Sequence, residues 1–168
     1  MCLEDLWYGY FIFTNLKQVN NMSTKKYKDA LEILIYQKPV DKSVFHRVKN
    51  ALAKRGVVIE QSKEIDRWLV SKSTEAVTFS DGTMLMHSRV SASGFFEELI
   101  HYGQIKSGRA DVCNEINNLL LEIEAKERLI KHKKAYRITD FEIVILTDIL
   151  DKYKIQLTIL KQEAEGYV

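Results

Sequence analysis

The chain has 168 residues, 46% hydrophobic and 29% charged, which is enough for one domain with its own core. A formal charge of +2 gives no strong field for nucleic acid or an anionic membrane, and the lysines at Lys25–Lys26 and from Lys131 to Lys134 read as solvated helix surface. Cys2 and Cys113 form no Cys-x-x-Cys pair, so neither a disulfide framework nor a thiolate zinc site is expected, which fits a reducing cytoplasm.

Leu6 to Phe13 is an aromatic-rich apolar run, too short to span a bilayer at ~1.5 Å per residue. Glu4 and Asp5 stand where a signal peptide would carry cations, and no small-residue cleavage site follows. The expected location is therefore the cytoplasm, or wherever a specialised secretion route would deliver the chain. Met22 to Lys26 reads as a natural start. Residues 1–21 are either an upstream arm or an element packed on a single domain over 22–168.

Tyr27 to Tyr36 is amphipathic, with Leu31, Leu34 and Ile35 in a stripe, and predicts a first helix closed by Lys38–Pro39. Asp41 offers an N-cap for a second helix from Lys42 to Arg55, with Val44, Val48, Ala51 and Leu52 on its buried side and Gly56 closing it. Val57 to Glu60 predicts a strand. Arg67 to Val70 is either another strand or the end of a short helical turn. Ala76–Phe79 and Thr83–Met86 alternate on either side of Ser80-Asp81-Gly82, a hairpin signal.

Beyond Gly94 the periodicity turns helical from Phe95 to Lys106, stopping near Gly108. A long helix capped by Asp111 is expected to run to about Tyr136, with Ile116, Leu119, Leu120, Ile123 and Leu129 inward. Thr139 and Glu142 form a capping box for a last helix whose stripe is Ile143, Leu146, Ile149, Leu150, Tyr153, Leu157 and Leu160. The expected class is α+β: a small antiparallel or mixed sheet, including a hairpin, packed against several helices.

The chemistry concentrates in Phe95-Phe96-Glu97-Glu98-Leu99-Ile100-His101. Glu97 and His101 stand one helical turn apart on one face, with Glu98 beside them. This is the layout of a His-Glu-x-x-His helix with a carboxylate in place of the first histidine. A second polar set, Glu122-Ile123-Glu124-Ala125, falls on the next helix. Glu122 and Glu124 differ in direction by about 200°, so only one can face a shared site.

From Val57 to Lys131 the sequence resembles the zincin metallopeptidases of the gluzincin type: a hairpin, the Glu97–His101 helix directly after it, and a Glu-x-x-Ala element at Glu122-Ile123-Glu124-Ala125. It is similar to the small zincin-like domains of phage-encoded and polymorphic-toxin proteins. The resemblance implies a minimal zincin-like fold, a Zn²⁺ site and hydrolysis of a peptide or protein. His101 and Glu122 would be ligands, with Glu97 in the first ligand position and Glu124 as the alternative third ligand. Glu98 would be the general base for attack by activated water. The second hairpin strand would be an edge strand holding extended substrate, which makes Leu85, Met86 and His87 candidate substrate contacts.

Glu97 departs from that pattern. Two carboxylate ligands shift preference toward harder ions such as Mn²⁺, and leave open an inactive domain that keeps the groove for protein binding. A di-iron reading of Glu98-x-x-His101 lacks its matching motif on a second helix. Neither a Ser or Cys triad nor a glycine-rich phosphate loop is present. His46 and His132 read as surface residues.

Overall fold

A computed structural model describes residues 37–111 and 113–166; the predicted helix over Tyr27–Tyr36 and the arm over 1–21 lie outside them. Six helices and three short strands are formed among the described residues: α1 (Lys42–Ala53), β1 (Ile59–Glu60), α2 (Lys63–Ser71), β2 (Ala76–Thr78), β3 (Met84–Met86), α3 (Ala92–Lys106), α4 (Glu115–Lys131), α5 (Lys133–Tyr136) and α6 (Asp140–Glu165). The class is α+β, as expected. No helix among the described residues is long and apolar enough to cross a membrane.

Asp41 caps α1 by accepting hydrogen bonds from the backbone N–H groups of Ser43 (2.9 Å) and Val44 (3.3 Å). Its buried side is centred on Phe45 and Leu52, with Val44 and Val48 at the margin; Ala51, expected inside, is exposed. The segment Arg67–Val70 is helical. Ser62 caps α2 through Ile65 N–H, and Leu69 and Val70 are its buried residues.

The hairpin forms where Asp81-Gly82 predicts it, pairing Ala76 with Met86, Val77 with Leu85 and Thr78 with Met84. Gly82 has φ +92°, and the Tyr102 ring covers it at 3.1 Å from where a Cβ would stand. Both reasons select glycine here.

One expectation about the sheet is overturned. Its order is β1-β3-β2, with β1 parallel to β3 (Ile59 beside Met84, Glu60 beside Leu85) and β2 antiparallel. The second hairpin strand is thus central. The run Val57–Glu60 occupies the flank expected to be open, helped by Met84 N–H donating to Val58 O at 2.9 Å. Leu85 therefore has a strand partner on each side, Glu60 and Val77, and Met86 pairs with Ala76 and is fully buried. His87 is also engaged: its N–H donates to Glu75 O (2.8 Å) and its Nδ1 accepts from Arg89 N–H (3.0 Å).

Helix α3 starts three residues before Phe95, because Ser91 caps it through Gly94 N–H (3.0 Å). Asn114 rather than Asp111 caps α4, through Asn117 N–H at 2.9 Å. The long helix expected to reach Tyr136 breaks at His132, and the short α5 lays Tyr136 flat on Phe96, ring centres 4.2 Å apart. Helix α6 opens on the predicted capping box of Thr139 and Glu142.

Three apolar clusters follow. Phe45, Met84, Met86, Val90 and Phe95 join α1, the sheet and α3. Ile100, Ala125, Leu129, Ile138 and Leu146 join α3, α4 and α6. Leu119, Ile123, Leu150 and Tyr153 close α4 on α6. Helix α3 lies between the sheet and the α4–α6 pair.

A polar chain pins the start of α3. Glu75 accepts from Ser91 N–H (2.7 Å) and Oγ (2.5 Å), Ser91 Oγ meets Ser93 Oγ at 2.9 Å, and Ser93 Oγ donates to Glu142 at 2.9 Å. Glu75 lies so close that a Cβ on Gly94 would stand 2.4 Å from its Oε1. Burial pushes the Glu75 carboxyl up to about 7 from 4.5, against the pull of the Ser91 hydrogen bonds. The folded state therefore favours the protonated form. That stabilisation is complete below pH 4.5 and is lost as pH rises through 7. Glu75→Gln should gain on the wild type by up to about 3 kcal/mol between pH 5 and pH 8. Urea unfolding at the two pH values checks this; a constant difference would refute it.

Candidate metal centre

Helical spacing explains how the site is assembled. At about 100° per residue, Glu97, His101 and Gln104 share one stripe of α3, while Glu98 is turned toward the sheet. Asn118, Glu122 and Lys126 recur every four residues along one stripe of α4. All of these but Glu97 are buried, and Glu97 is partly so. The apolar clusters on both sides press the two polar stripes together.

His101 is the hub. Its Nε2 lies 3.5 Å from Glu122 Oε1 and 3.7 Å from Glu97 Oε1. Its Nδ1 is 2.8 Å from Gln104 Oε1, and Gln104 donates to Leu121 O at 3.1 Å, which fixes the ring. Lys126 donates to Glu97 Oε1. Thr78 Oγ1, from β2, donates to Glu98 Oε2 at 2.6 Å. Tyr153, from α6, borders the cluster: burial first, then the charges of Glu122 and Glu97, raise its phenol above the ordinary 10.

The groups shift one another strongly. Burial opposes ionisation of Glu97, yet Lys126 and His101 overcome it and hold its carboxyl down to about 2. Burial opposes the charge on His101 too, but Glu122, Glu97 and Glu98 raise it from 6.5 to about 9. Glu98 is pushed up to about 7 by burial, against His101 and the Thr78 hydrogen bond. Glu122 is raised by burial, against His101 and Lys126.

Glu97, His101 and Glu122 each offer one donor atom, all within 4.8 Å of one another, and this group could hold a metal ion. Four ligands at 2.0–2.1 Å from a tetrahedral ion stand about 3.3 Å apart. The separations of His101 Nε2 from the two carboxylate oxygens, 3.5 and 3.7 Å, exceed that by only a few tenths. Glu122 Oε2 is buried with no hydrogen-bond partner, an oxygen that a cation would satisfy. On donor type, spacing and this orphaned oxygen, the residues fit a divalent ion.

Glu97, His101 and Glu122 come together as the sequence suggests, while Glu98 is not one of the three and accepts from Thr78 on the sheet side. Glu124 is not a ligand: it turns away to an exposed bidentate pair with Arg109. Leu85, Met86 and His87 make their contacts elsewhere. Sequence reasoning missed Gln104, Thr78, Asn118 and Lys126. The missed signal is the four-residue repeat Asn118, Glu122, Lys126 within an otherwise apolar helix face.

No family model, curated protein or solved structure matches this chain.

Proposed function

We propose that this chain is a zincin-like, metal-dependent hydrolase of a peptide or protein, of the kind found among phage and toxin effectors. The convergence of Glu97, His101 and Glu122 from two consecutive helices after a hairpin carries the reading. A divalent ion such as Zn²⁺ or Mn²⁺ held there would polarise a carbonyl and acidify water. Glu98 follows the first ligand by one residue, and Thr78 fixes its carboxylate through Oε2. That leaves Oε1 as the oxygen to take a proton from the nucleophile and return it to the leaving amine. Because β3 is central, an extended substrate would lie elsewhere than on Thr83–Ser88.

The decisive experiment pairs metal analysis with Glu98→Gln. Purified wild type should carry or take up one divalent ion and cleave unfolded protein substrates. Glu98→Gln should keep the ion and lose activity by about 10²- to 10⁴-fold. Equal cleavage by both proteins would refute the role of Glu98. A second reading, a non-catalytic protein-binding domain, is favoured by one observation: an ammonium, that of Lys126, already neutralises Glu97. No ion uptake and no cleavage would select it.

A further inference from the structure

Two ionised carboxylates and a neutral imidazole give the Glu97–His101–Glu122 set a charge of −2. A set of two imidazoles and one carboxylate, which serves zinc hydrolases, carries −1. The excess sits at Glu97. Lys126 returns it: its side chain is 3% exposed, reaches across from α4, and pairs with Glu97 Oε1. That is the oxygen lying 3.7 Å from His101 Nε2. Among the described residues no other lysine or arginine pairs with Glu97, Glu98 or Glu122.

Resting on the metal reading above, we propose that Lys126 is the built-in counter-charge of the ion site, so that Glu97 and Lys126 act together as one neutral ligand unit in place of an imidazole. The ammonium holds the ligand set together without an ion, because two buried carboxylates facing only His101 would repel each other. It also weakens the hold on a dication by like-charge repulsion across a poorly solvated space. Removing it therefore has opposite signs in the two states. A lysine with a merely structural role would leave ion affinity unchanged or lower it.

The test uses the full chain stripped with chelator, with Zn²⁺ and Co²⁺ titrated calorimetrically and Tm measured with and without ion. Lys126→Met keeps most of the aliphatic stem. It should lower the ion-free Tm and bind Zn²⁺ about ten-fold more tightly than wild type. Glu97→His/Lys126→Met should recover most of the lost ion-free Tm, since the pair is exchanged for a neutral ring. Should Lys126→Met fail to fold, Glu97→His and Glu97→His/Lys126→Met carry the comparison, and the double variant should again bind about ten-fold more tightly. Ion binding by wild type with no tightening on loss of Lys126 overturns the proposal and spares the metal reading. Absence of Zn²⁺ and Co²⁺ binding by all four proteins overturns both.

Discussion

Replacing His101 by alanine is expected to cost the ion-free protein about 3–5 kcal/mol and to abolish any rise in Tm on adding Zn²⁺ or Mn²⁺. His101 stands between two buried carboxylates, and alanine leaves Glu97 and Glu122 facing each other across the space it vacates. In a chain of this size the loss corresponds to roughly 6–20 °C in Tm. The effect should depend on pH in a defined direction. The folded state raises the histidine from 6.5 to about 9, so its protonation adds stability fully below pH 6.5 and loses it as pH rises through 9. The gap between wild type and variant should therefore narrow from pH 6 to pH 10. Urea unfolding across that range with chelator present checks both statements. A cost below about 1 kcal/mol at pH 6 would mean that the buried pairs contribute little.

Glu142→Ala is expected to be of similar size, about 3–5 kcal/mol, although it lies outside the ligand set. One carboxylate accepts four hydrogen bonds: from Ser93 N–H (3.1 Å) and Oγ (2.9 Å), and from Thr139 N–H (2.8 Å) and Oγ1 (2.7 Å). It thereby joins the start of α6 to the start of α3 with almost no exposure to water. Alanine leaves those donors without their acceptor. Thr139→Ala removes only the cap and should cost about 1 kcal/mol. Thermal unfolding of the two variants side by side separates a capping effect from the interhelical tie. Equal losses would show that the bonds to Ser93 carry no weight.

The capping box at Thr139–Glu142, the Asp41 cap and the Asp81-Gly82 hairpin were legible because each is a local device whose partners lie within four residues. So was the pairing of Glu97 with His101, which follows from helical repeat alone. The central place of β3 was not legible, because strand order depends on how the two-residue β1 returns through α2, and nothing in Val57–Glu60 encodes its partner. The role of Lys126 was not legible for a related reason. Its spacing from Glu122 suits an ion pair within one helix, and only the packing of α4 on α3 brings Glu97 closer. The tie from Glu142 to Ser93 spans 49 positions and is likewise invisible to local patterns.

Helix α3 has the sheet on one side and α4 and α6 on the other, with the polar stripe between. Loosening it would loosen both halves of the molecule at once. Passage of any ion to and from the centre would therefore fall to side-chain movement rather than to partial unfolding. The least covered member marks the door: 12% of the Glu97 side chain meets solvent, against 2–3% for His101, Glu122 and Lys126. An arriving cation would meet Glu97 first, and residence time in the centre would be governed by how readily that one carboxylate swings.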